Sequence, residues 1–117
     1  YNLQNGIAVS DNLLRERRDL VKRILRARTK AARYFWENEK GASQILAKYL
    51  NVELPVALES YRLSRDAFTV NGVSTTKEVD EFLKMDAEIL KLAKPVSASR
   101  IFDFSLQQSV NQELGLR

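Results

Sequence analysis

Two close pairs of carboxylates, Asp80 with Glu81 and Asp86 with Glu88, come nearest in this chain to residues that could do general acid–base chemistry. Such a pair divides the acid and base roles when its surroundings push the two pKa values apart. Here both pairs lie among other charged residues in a helical pattern, the setting of solvated surface groups. The chain has no histidine and no cysteine. An imidazole base, a catalytic triad, a thiolate nucleophile and the commonest transition-metal ligand are therefore absent. No segment has the regular oxygen-ligand spacing of a calcium loop, and none is a glycine-rich phosphate loop. The expectation is a protein that is not an enzyme, with no catalytic residue, no metal site and no cofactor.

Positive charge is concentrated in one place. The chain carries +4 overall, yet residues 15–33 hold nine Lys and Arg against only Glu16 and Asp19. Nucleic-acid binders gather cations on one face in this way. This segment also carries a complete apolar face, and its basic face lacks the interleaved aromatics that stack on bases. A solvated charged face is the plainer expectation, with no nucleic acid as partner. The alternative function is a stand-alone helical module that binds nucleic acid or an acidic protein through the 15–33 face. Arg28 breaks the pattern by projecting from the middle of the apolar side, where a guanidinium needs a carboxylate, carbonyl oxygens or an edge to reach. Phe35 and Trp36 fall on the apolar side and are expected in the core.

The elements that position these residues are mostly helices. Gly6 to Ser10 reads as one short β-strand, Ile7 to Val9 at its centre, with no partner strand elsewhere. A short turn or helix over 11–16 follows. A long amphipathic helix then spans about residues 19–39, with apolar residues from Leu20 to Trp36 recurring at spacings of three and four. Gly41 punctuates it. Ala42, Ile45, Leu46, Tyr49 and Leu50 form the stripe of the next helix, and Pro55 opens another that runs to Phe68. Asn71-Gly72 marks a turn. Thr75 with Glu78 is a capping box opening a helix that Pro95 stops, and Ser105 with Gln108 is a second box opening a last helix closed by Gly115. The fold class is thus mostly α, five to six helices plus one short strand, in a single segment over residues 1–117. No run approaches the roughly 18 apolar residues of a membrane span. The chain begins at Tyr1 rather than Met, which suggests a processed chain or a fragment.

The order of motifs is specific where each alone is weak. Ser10-Asp11 follows the strand, "DLVKRILRA" covers Asp19 to Ala27, "ILAKYL" covers Ile45 to Leu50, and "VALESY" covers Val56 to Tyr61. "DFS" at Asp103-Phe104-Ser105 leads into "ELG" at Glu113-Leu114-Gly115. Together they resemble the C-terminal part of bacterial periplasmic solute-binding proteins of ABC importers, in the nitrate/sulfonate/taurine and thiamine-pyrimidine-precursor-like branch. Arg28 departs from that pattern, which carries an uncharged residue at this point. The resemblance implies a two-lobe α/β fold that closes on its ligand by hinge motion. It implies a small anionic or zwitterionic solute as ligand and the membrane permease as partner. The location would be periplasmic or extracytoplasmic, with any lipid anchor at the start of the full protein. Most ligand contacts would lie outside this segment. Within it, Ser10 is the one candidate ligand-binding residue, at a strand end and helix start where N–H groups meet anions; a simple helix N-cap is its plainer role. The strand would belong to a larger sheet. Alone, it would favour self-association of the segment through residues 6–10, because an unpaired strand edge templates pairing.

Overall fold

A computed structural model describes residues 6–116. The order is α1 (Asp11–Glu16), α2 (Arg18–Glu37), α3 (Glu39–Leu50), α4 (Leu54–Ser64), α5 (Thr76–Ile89) and α6 (Ser105–Glu113). Single 3₁₀ turns lie at Arg65–Ala67 and Ala98–Arg100. The chain is mostly helical, as its periodicity predicts. No strand forms among the described residues, which corrects the expected strand at residues 6–10. The physical reason is that a strand needs a neighbour for its backbone groups, and every other described segment is helix, turn or loop.

The helix boundaries follow local chemistry, with four further corrections, the first being that the helix expected to run to Phe68 ends at Ser64 and passes into the Arg65–Ala67 turn. The long helix ends at Glu37, not at a glycine. Asn38 breaks it, and its side chain accepts a hydrogen bond from the Gly41 N–H at 2.9 Å to start α3. Gly41 therefore sits inside the first turn of α3, where a Cβ would collide with the Tyr34 side chain. Helix α5 opens with the expected capping box: the Glu78 N–H donates to Thr75 Oγ1 and the Thr75 N–H donates to Glu78 Oε2. It ends at Ile89, well before Pro95, because Lys91 turns left-handed at φ 53° and Leu92 N–H closes back on Ala87 O at 2.8 Å. The second expected box does not form. Phe104 is already near-helical, so Ser105 is the first helical residue rather than the cap, and its N–H donates to Asp103 Oδ1 at 2.9 Å. The Ser105 hydroxyl first, then this N–H, with the Arg18 charge as a lesser cause, hold the Asp103 carboxyl below its usual range. Gly115 ends α6 as predicted, at φ 67°, with Leu116 N–H bonded to Asn111 O and Gly115 N–H to Gln112 O.

Packing joins these helices in pairs, α3 on α4 and α2 on α6. Ala42, Ala57 and Tyr61 are buried in the first pair, and Val21, Leu106 and Val110 in the second. Phe35 links the pairs by packing on Tyr61 and Phe68, with ring centroids 4.7 and 5.6 Å apart. The last turn of α2 leaves carbonyls without helical partners. The Tyr61 hydroxyl donates to Phe35 O at 2.7 Å, and Arg65 donates to Trp36 O while lying 4.3 Å over the Trp36 ring. Phe35 and Trp36 thus pack as structural residues, half-buried rather than in the core as expected. Phe102 stands between Phe82 and Phe104 and ties α5 to the segment before α6.

Candidate functional site

Ser10 lies where a helix begins, and its hydroxyl accepts from the Leu13 N–H at 3.2 Å. It is exposed and caps a helix of only six residues. The cap is the role its geometry displays. Of the carboxylate pairs, Asp80, Glu81 and Glu88 are exposed, and Glu81 is 3.8 Å from Lys77 one turn away. Among the described residues, no three potential ligand side chains come together as a metal site.

The basic face of α2 is partly consumed by the fold. Lys22 and Arg26 both pair with Glu113 of α6, Arg26 at 2.6 Å, and Arg33 donates to Leu114 O at 3.0 Å. Hydrogen bonds from Lys22 first, then Arg26, hold the Glu113 carboxyl below its ordinary range. Arg17 lies 3.8 Å from Asp19. Arg15, Arg18, Arg23 and Lys30 remain exposed. The cationic face is therefore a seam along α6 flanked by scattered cations, not a continuous free groove.

Arg28 meets the requirement its position sets. It donates to Thr69 O at 2.7 Å and to Val70 O at 3.2 Å. Burial lowers its pKa, and a guanidinium remains charged all the same. Beside it lies a feature the sequence pattern did not single out. Gln107 Nε2 donates to Thr29 Oγ1 at 2.8 Å and to Asn111 Oδ1 at 2.9 Å, while Asn111 Nδ2 donates to Asn71 O at 2.8 Å. Thr29, Gln107 and Asn111 are all buried, and the Thr29 hydroxyl donates in turn to Leu25 O. The available signal was a carboxamide pair at i and i+4, Gln107 and Asn111, on the same short helix as Leu106 and Val110.

This node clamps the loop over residues 69–73 between α2 and α6. Gly72 sits in it at φ 64°, where a Cβ would fall 2.6 Å from Arg28 Nη1. An open cavity of about 320 Å³ adjoins the node, lined by Asn71, Val73, Gln108, Asn111, Gln112 and Leu116. A smaller one of about 140 Å³ lies between the start of α5 and Phe102. The groups at the node are neutral hydrogen-bonding side chains and one guanidinium engaged with backbone. They can orient and hold a loop, and none is an activated nucleophile or base.

No helix among the described residues is long and apolar enough to cross a membrane. Comparison of the chain with protein-family models, with curated proteins and with solved structures finds no match.

Proposed function

We propose that this chain is the C-terminal helical part of a substrate-binding protein of an ABC importer. In this role it is a non-catalytic, extracytoplasmic component. The whole protein captures a small anionic or zwitterionic solute between two α/β lobes and hands it to a membrane permease. The order of motifs from Ser10 to Gly115 motivates the proposal.

One observation supports it most directly. Helix α2 carries a wider apolar side than its neighbours cover. Ile24, Ala27, Ala31 and Tyr34 follow each other at spacings of three, four and three, and all four are exposed, Ile24 by 40%. A row at that spacing is one continuous helix face. Its two alanines let another layer approach closely. In a two-lobe protein this seam meets the body of the adjoining lobe.

The test is made on the full-length product of the gene that carries this sequence. Thermal unfolding is followed with taurine, methanesulfonate, nitrate or hydroxymethylpyrimidine. A bound solute at a hundredfold excess over its Kd stabilises by about 2.7 kcal/mol, with little dependence on salt. No shift with any of them, together with oligonucleotide binding that collapses between low and moderate salt, would replace this function with binding through the basic 15–33 face.

A further inference from the structure

We infer that the outer face of the α3–α4 hairpin joins two copies of this chain about a two-fold axis. The two helices bury their inner sides on each other through Ala42, Ser43, Ala57 and Tyr61. One flank of the hairpin, beside that contact, stays uncovered and is also apolar. Ile45 and Tyr49 stand one turn apart on α3, exposed by 58% and 84%, and Val56 and Leu63 stand two turns apart on α4, exposed by 52% and 81%. Apolar residues scattered singly on a surface need no explanation, whereas contiguous rows mark interaction sites.

The surface area sets the scale of the partner. The chain exposes 9011 Å² at 13.4 kDa, against about 6,500 Å² for a folded monomer of that mass. The excess of roughly 2,500 Å² exceeds the ~800 Å² per partner that a standard interface buries. A symmetric contact through the hairpin uses none of the α2 residues named above, and the inference stands apart from the transport function proposed there.

Charge selects a second copy as the occupant. Lys48 on α3 and Glu59 on α4 are both exposed, and neither forms an ion pair among the described residues. A two-fold contact is self-complementary: residue i meets j, and j meets i. Setting α3 of one chain against α4 of the other places each Lys48 opposite Glu59 of the second copy. The result is two antiparallel hairpins packed as a four-helix arrangement. Tyr49 and Leu63, the most exposed of the four, are its anchors.

Sedimentation of the full-length polypeptide from about 1 to 100 μM measures the contact directly. The expected result is a dimer whose Kd rises at least about tenfold in Tyr49→Lys/Leu63→Lys. Lys48→Glu should weaken the dimer, and adding Glu59→Lys should restore it. A monomer throughout the range overturns the inference. So does a dimer indifferent to these substitutions, including one held through residues 6–10. A monomer that still binds solute sinks this contact and leaves the transport function standing; a dimer that binds none of the solutes does the reverse.

Discussion

Arg28, Thr29, Gln107 and Asn111 form the node on which the 69–73 loop depends. Removing one member of a buried hydrogen-bonded set leaves the others desolvated and unpaired. Asn111→Ala strips Gln107 of one acceptor and Asn71 O of its donor, so chemical denaturation should show a loss of about 1–3 kcal/mol. Gly72→Ala should lose more than about 1 kcal/mol, because φ 64° disfavours any side chain and the new methyl meets Arg28. Arg28 was legible in the sequence as a residue in need of oxygen partners. Which oxygens it found was not legible, since Thr69 and Val70 lie some forty positions away and reach it only through the path of the loop. Ser10 was legible too, and its geometry displays the cap.

Three helices stop in the same way, by one residue in the left-handed region: Asn51, Lys91 and Gly115. Glycine adopts this conformation without strain and asparagine with little, whereas a lysine meets its own Cβ against the carbonyl. Lys91→Gly should therefore stabilise the protein by about 1 kcal/mol, read as a higher denaturation midpoint at unchanged m-value. Asn38→Ala should lose about 0.5–2 kcal/mol, since it removes the side-chain cap at the start of α3. The contact between α2 and α6 is pH-dependent. The Glu113 carboxyl is lowered in the folded state by Lys22 and Arg26. Its contribution is thus complete above the unfolded carboxylate pKa of about 4.3. It is lost as pH falls through the lower folded value. The stability gap between the protein and Glu113→Gln should hold from neutral pH down to about 5 and close as the solution is acidified further. A gap that widens on acidification would contradict the ion pairs. Helix existence and the Thr75–Glu78 box were legible because both are local. The early end of α5 was not, because Lys91 in a left-handed conformation has no residue-type signature.

The radius of gyration is 16.6 Å, against about 13.4 Å for a compact domain of this length. The helices pair without closing into one core, and apolar rows are left on α2 and on the α3–α4 hairpin. The α2 seam can be tested at this scale. Ile24→Glu should change stability by less than about 0.5 kcal/mol in the chain alone, where the side chain already meets water. In the full-length protein the same substitution should cost about 2 kcal/mol or more, because it places a carboxylate under the adjoining lobe. Equal small effects in both would leave the seam facing solvent and remove the main support for the proposed function.

By itself the sequence determined the helical class, most of the turns and caps, the apolar and basic sides of α2, and the lack of imidazole and thiol chemistry. All of these depend on residue type and on spacings of three and four along the chain. Tertiary structure alone decided which apolar stripes are covered, that Glu113 takes up two cations of the basic face, and that Thr29, Gln107 and Asn111 meet. It also decided that residues 6–10 form no strand. The physical reason is common to these cases. Burial, ion pairing and strand pairing each require a partner distant in sequence, and periodicity specifies a face without specifying what lies against it.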